Sequence, residues 1–324
     1  LVMIPPPHPP APGRRVRPYG IAAACLALAA GLVALSLYRK EKAGPPAIQG
    51  PVLPPNVAGQ FYPEDPDALR SEVNGLLAAA PKRDLARVRA IIAPHAGYVF
   101  SAAVAAAAYR EINPSFRTAF ILADNHSPDA NHSGASLPDA SAMAIPGATI
   151  PISPIASQLR RLHPDLFPSE PAAHRSHVIE VHLPFLQAIK GWPTHPDYAI
   201  LPMVLGAMDA TSTSQLADAL DAAAPRDGIF IASTDLSHYL DDASARKIDG
   251  ATIHAMLAIA PESLPPASCC GRCSVCTIRE LAKKHAWQPH FLAYRNSSDA
   301  SVDRSRVVGY AAIAAGLCGL IATA

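Results

Sequence analysis

Six short apolar runs, VRAIIAP, TAFILAD, YAILPMVL, GIFIAST, HFLAYR and RVVGYAAIA, alternate with longer stretches of helical periodicity, and this alternation sets the fold class. Each run reads as a strand. Glu64-Asp65-Pro66 opens a helix that reaches Leu77, with Asp65 as N-cap and Pro66 at the first helical position. SAAVAAAAYR, SPIASQLRRL, HVIEVHLPFLQAIK, SQLADALDAA, ARKIDGATIHAMLAIA and SVCTIRELAKKH supply further helices, and the stretch up to about Pro154 is loop-rich. Strands alternating with helices predict an α/β fold: a single domain with a central, mostly parallel sheet and helices on both faces. A chain of 324 residues, 50% hydrophobic and 16% charged, can bury such a core. With 27 Lys+Arg against 26 Asp+Glu and no dense basic stripe, a nucleic-acid partner is excluded.

Outside this domain the two ends differ in kind. Residues 1–20 form a disordered, Pro-rich basic tail, and Ile21 to Tyr38 (IAAACLALAAGLVALSLY) runs without a charge, long enough to cross a bilayer. It predicts an N-terminal transmembrane helix and a single-pass membrane location, with residues 39–50 as linker. A cleaved signal peptide is the competing reading, but Ala34-Leu35-Ser36 is a marginal cleavage site. Arg14, Arg15 and Arg17 on one flank balance Arg39, Lys40 and Lys42 on the other, so charge sets no orientation; the working expectation puts the domain on the cytoplasmic side. The apolar run Val307 to Ala324 opens with β-branched and aromatic residues and reads as a buried strand followed by an apolar tail, residues 316–324, not as a second span.

Polar residues collect where the strands end. His95 follows IIAP, His126 follows FILADN, and Asp235 and His238 follow FIAST; in open α/β sheets the carboxyl edge of the strands is where ligands sit. His95 is either a ligand aimed inward by a turn at Gly97 or a loop residue. His126, beside Asn125, is either a second ligand or part of a turn. His177 and Glu180 are three apart and share a helical face, which suits a proton shuttle or an ordinary surface pair. Asp235 is placed to cap a helix, and His238 to face the cleft or water. His177, Glu180, Asp235 and His238 are the candidates for moving protons.

Four of the six cysteines, Cys269, Cys270, Cys273 and Cys276, fall within eight residues, which is no disulfide framework and points to a reducing compartment or a metal. One Cys with two His makes a credible three-ligand site with open positions. Cys269, Cys273 and Cys276 also read C-x3-C-x2-C, a spacing found in iron–sulfur enzymes; the helix beginning near Ser274 and the lack of a following βα-barrel weigh against a cluster.

AGQFYPEDPDAL, APHAGYVFSAAVAAAAY, HVIEVHLPFLQ, STDLSHY, CGR and DRSRVVGYAAIA, in this order, resemble the Memo family, the group of AmmeMemoRadiSam system protein B. The likeness covers residues 51–315. It implies a fold like the class III extradiol (LigB-type) non-heme iron dioxygenases and a metal site on His95, His126 and Cys270. The Memo pattern has Gly-Pro before the Asn/Ser-His pair, where this chain has Ala123-Asp124, and Gly-Pro after CGR, where this chain has Cys273-Ser274. The loop carrying His126 is therefore expected to bend differently and to bring an added carboxylate.

The resemblance implies a metal-binding protein with one iron or copper ion per chain, acting on a small-molecule substrate by dioxygenase-like or oxidase-like chemistry. Zinc at the same ligands would make it a hydrolase. The alternative is a non-catalytic adaptor that uses the same cleft for protein partners, as eukaryotic Memo proteins are implicated in signalling.

Overall fold

The structure, a computed structural model, describes residues 46–258, 264–265 and 267–317. In chain order it runs β1 (Val52–Leu53), α1 (Pro66–Ala79), β2 (Val88–Ala93), α2 (Tyr98–Tyr109), β3 (Thr118–Asp124), β4 (Ala135–Ser136), β5 (Ala142–Ile145) and β6 (Ala148–Pro151). Then follow α3 (Ile155–Leu162), α4 (His177–Glu180), α5 (Leu183–Ile189), β7 (Ala199–Leu205), α6 (Ala210–Ala223) and β8 (Gly228–Ser233). Last come β9 (His238–Leu240), α7 (Asp242–Leu257), α8 (Arg272–His285), β10 (Gln288–Asn296) and β11 (Val307–Gly316).

Helix starts follow residue chemistry. The Asp65 carboxylate accepts from the N–H groups of Asp67 at 3.1 Å and Ala68 at 2.8 Å, and Pro66, with no N–H to satisfy, fills the first helical position of α1. Asp209 and Ser212 form a reciprocal capping box on α6.

The main sheet has the order β10-β11-β2-β8-β3-β7-β4, with β9 pairing β11 off this path. β2, β8, β3 and β7 lie side by side in parallel. Every residue of β7 and β8 is buried, and because successive side chains face opposite ways, these strands are covered on both faces. α8 lies on β8 and β3, and α6 packs on α8; the Ala-rich α2 lies on β2, β10 and β11, where its small side chains permit close approach. Toward both edges the pairing turns antiparallel: β11 against β2, β9 and β10, and β4 against β7. The expected mostly parallel sheet is thus a mixed one. Only residues 297–306 join β10 to β11, too short a connection for a parallel crossover, so the pair closes antiparallel.

The loop-rich stretch contains strands as well. β5 pairs β1 in parallel and β6 antiparallel in a separate three-stranded sheet, the β5–β6 hairpin turning through Gly147 at φ +78°.

The expectation of a domain carried behind a transmembrane helix, and of a membrane location resting on it, is corrected to a mixed α/β domain. Among the described residues no helix is long and apolar enough to cross a membrane. α7, with 16 residues, carries Asp242, Arg246, Lys247 and Asp249, whereas a span needs about 20 mostly apolar residues. Ile21 to Tyr38 lies outside the described residues. Val307–Gly316 is a strand, as its β-branched opening predicts.

Candidate metal centre

β2, β8 and β3 are neighbours in register: Ala93 pairs Ser233, and Ser233 pairs Ala123. Parallel strands leave a sheet on the same edge, so the residues just past these positions are delivered to one place. One ligand atom each from His95, His126 and Cys270 lies within 4.8 Å of the others, a group able to hold a metal ion. Among the described residues no other three His, Cys, Asp or Glu side chains meet this closely.

His95 is buried, and hydrogen bonding fixes its tautomer. Ser233 Oγ donates to the Val178 carbonyl at 2.7 Å, so at His95 Nδ1, 2.7 Å away, it accepts. The ring proton is on Nδ1, and the Nε2 lone pair is free. The His126 Nδ1–H donates to the Asp124 carbonyl at 2.9 Å, which likewise frees its Nε2. Burial, with His126 and His177 nearby, holds the His95 imidazole well below its ordinary value, so it is a neutral donor.

Cys270 reaches this edge on the turn before α8. Its N–H donates to the Asp235 carbonyl at 3.2 Å, while the Asp235 N–H donates to its sulfur at 3.3 Å. Gly271 N–H donates to Thr234 Oγ1 at 2.8 Å, so the turn is stitched to the end of β8. The sulfur lies 3.2 Å from His95 Nε2, whose lone pair leaves the S–H as donor. Burial and the neighbouring Asp235 charge push the Cys270 thiol up; a cation between sulfur and Nε2 would take the place of that proton.

The remaining candidates divide. His177 stands edge-on to the His95 and His126 rings, 5.3 Å and 5.8 Å away by ring centroids, and packs against Phe61 at 4.5 Å with the rings tilted by 31°. Burial and His126 lower its value to about 4. The His238 Nδ1–H donates to the Leu236 carbonyl at 2.8 Å, which frees Nε2, and burial lowers its value. Asp235 caps no helix, since β9 follows it; its carboxylate accepts from the His95 N–H at 2.8 Å, and burial raises it to about 7. Glu180 shares α4 with His177, but its carboxylate takes hydrogen bonds from Asn56 N–H at 2.6 Å, Val57 N–H at 3.1 Å and the Tyr62 hydroxyl at 2.5 Å. It clasps the segment that carries Phe61. His182 is buried against the Tyr109 hydroxyl at 2.8 Å.

A family model for Memo-like proteins matches residues 54–314. The chain belongs to the Memo family. It is similar to a MEMO1 family protein of Archaeoglobus fulgidus, 30% identical over 270 residues that cover 80% of this chain and 97% of the relative. It is also similar to MEMO1 family proteins of Methanosarcina barkeri (31% over 271 residues; 80% and 98% covered) and Methanothermobacter thermautotrophicus (32% over 279 residues; 79% and 98%).

The two departures from the Memo pattern meet in space. The Asp124 carboxylate accepts from Cys273 N–H at 2.8 Å, Ser274 N–H at 2.9 Å and the Ser274 hydroxyl. A proline at 274 would have no N–H for this bond. Burial raises the Asp124 carboxyl while these hydrogen bonds pull the other way. Cys273 and Cys276 ride on α8, and burial pushes Cys269 and Cys273 up to about 12. Ser233 and Asp124 escape a local reading: neither sits at a spacing that marks a ligand's partner.

Proposed function

We propose that this Memo-family protein is a mononuclear metal-dependent redox enzyme, dioxygenase-like or oxidase-like, holding one iron or copper ion on His95, His126 and Cys270. The observation that supports it is the commitment of both Nδ1–H groups, to Ser233 Oγ and to the Asp124 carbonyl, which leaves both Nε2 lone pairs available, that of His95 3.2 Å from the Cys270 sulfur, in a group whose ligand atoms lie within 4.8 Å of one another. Two imidazole nitrogens and a thiolate are donors suited to iron, copper or zinc, and three protein ligands leave positions open. The bound ion would supply Lewis acidity and one-electron chemistry.

The chain's own groups do the rest. Asp235 holds the His95 turn through the backbone N–H and so positions a ligand. His177, neutral and edge-on to the His95 and His126 rings, accepts protons beside the centre, and His238, near enough for His126 to act on its charge, offers a free Nε2. Phe61, clasped in place through Glu180, covers one face of His177 and limits water there.

The test is elemental analysis and absorption of the full-length chain, loaded with iron or copper and purified without oxygen. About one ion per chain, lost in His95→Ala and Cys270→Ser but kept in Cys276→Ser, is expected. Equal loss in all three variants would point to a cysteine cluster. No metal in the wild type after loading would sink the enzyme reading and leave a binding module; zinc alone would redirect it to hydrolysis.

A further inference from the structure

Asp124 has two ends, and each holds a different ligand's support. It is the last residue of β3, and its backbone carbonyl accepts the His126 Nδ1–H at 2.9 Å, fixing that ring's orientation and tautomer. Its carboxylate accepts the Cys273 and Ser274 N–H groups at 2.8 and 2.9 Å, together with the Ser274 hydroxyl. Those N–H groups belong to the first turn of α8, the helix that starts two residues after Cys270. The first N–H groups of a helix have no partner within it. The residue at the cap position, Gly271, has no side chain to offer, so Asp124 caps α8 from 149 and 150 residues away in sequence.

We infer that Asp124 is a positioning residue that sets the spacing between His126 and Cys270, and with it the affinity and geometry of the metal centre. The inference rests on the metal-site reading above. Loss of the carboxylate removes the direct tie between the end of β3 and the start of α8, leaving the Cys270 turn held through its bonds to Thr234 and Asp235 after β8, so its spacing to the His126 loop loosens. Groups that orient ligands in this way typically change metal affinity by about 10- to 100-fold when removed.

A bland alternative is that Asp124 only stabilises a helix. Asp209 separates the two, because it caps α6, also 14 residues long, with no ligand attached. The experiment is anaerobic Co(II) titration of the full-length chain, followed by the thiolate-to-cobalt charge-transfer band and the visible ligand-field bands, with thermal unfolding alongside. Asp124→Ala should weaken Co(II) binding by about 10-fold or more and shift the bands. Asp124→Asn, which keeps an oxygen acceptor, should recover part of the affinity, and Ser274→Ala should fall between it and the wild type. Asp209→Ala should lose thermal stability with affinity and spectrum unchanged. Should Asp124→Ala fail to fold, Asp124→Asn and Ser274→Ala carry the test.

Wild-type affinity and spectrum in the Asp124 variants would overturn the inference while leaving the metal site intact. A wild type with no thiolate band, or a His95→Ala variant that binds as well as wild type, would instead remove the metal-site reading on which it rests.

Discussion

An alanine at position 271 would place its Cβ 2.3 Å from the Ser233 carbonyl oxygen and 2.6 Å from Thr234 Cβ. Ordinary contact begins at 3.4 Å, so one side must retreat by about 1 Å. Ser233 ends β8, which is paired on both sides by β2 and β3 and buried throughout, and Thr234 follows with its N–H on the Ala93 carbonyl at 3.0 Å, so the turn that carries Cys270 is the part that moves. That movement breaks the 2.8 Å bond from Gly271 N–H to Thr234 Oγ1 and the 3.2 Å bond from Cys270 N–H to the Asp235 carbonyl. Two hydrogen bonds at about 1 kcal/mol each, with about 1–2 kcal/mol of residual overpacking, make Gly271→Ala less stable by about 3–4 kcal/mol. The sulfur, now 3.2 Å from His95 Nε2, would withdraw to roughly 4 Å; at bond lengths near 2.0 and 2.3 Å that opens the angle at a shared ion to about 135–140°, well past the tetrahedral value of about 109°, and weakens its binding. Urea unfolding followed by circular dichroism measures the first effect, and Co(II) titration the second. A variant within about 0.5 kcal/mol of wild type, binding Co(II) equally well, would refute the argument that the missing Cβ is what lets the turn close on β8.

Glu180→Gln replaces a carboxylate that accepts from three donors with an amide whose NH2 must face one of them, so a loss of roughly 2–3 kcal/mol in unfolding free energy is expected with metal content intact. Lost metal with unchanged stability would place Glu180 at the centre instead. Acid should weaken the fold through His174 and His182, which burial lowers from 6.5 to about 4 and about 3. In each case the folded value lies below the unfolded one, so the unfolded chain takes the proton first; stability is full above about pH 6.5 and falls as pH drops toward these values. For His174 the difference is worth about 3 kcal/mol, and His174→Gln should flatten the decline between pH 6.5 and 4.5; an unchanged slope would exclude it as the source.

The parallel centre of the sheet was legible because TAFILAD, YAILPMVL and GIFIAST are continuous apolar runs, and Asp65-Pro66 marked α1 because a carboxylate and a missing N–H are what a helix start requires. The short connection from β10 makes β11 antiparallel to that strand, but the direction of β11 against β2 was not legible. A strand buried along nearly its whole length carries the same apolar letters whether its neighbour runs with it or against it. β4, β5 and β6, of two to four residues each, are too short to show a period. At the site, strand exits pointed to His95, His126 and Asp235, since position along a strand is a local property. What Asp124 does was hidden because its partners, Cys273 and Ser274, are specified only by the folded chain; sequence showed an added carboxylate and a changed CGR segment as two separate oddities.

β11 also bears on how such a chain is made. β2 ends at Ala93, and the two strands that flank it, β8 and β11, begin at Gly228 and Val307. During synthesis from the amino end, β2 leaves the ribosome with both hydrogen-bonding edges bare, and the second edge is covered only when nearly all of the described domain has emerged. Such long-range pairing is slow to form, so the nascent chain carries an apolar strand open to mispairing until its partners emerge. β11 also anchors the loop after β8, where Leu236 N–H donates to the Gly309 carbonyl at 2.7 Å and Gly309 N–H to the Ser237 carbonyl at 2.9 Å. A premature stop before Val307 would therefore cost more than a strand: it would leave one edge of β2 bare and the loop that carries Asp235 and His238 without its anchor.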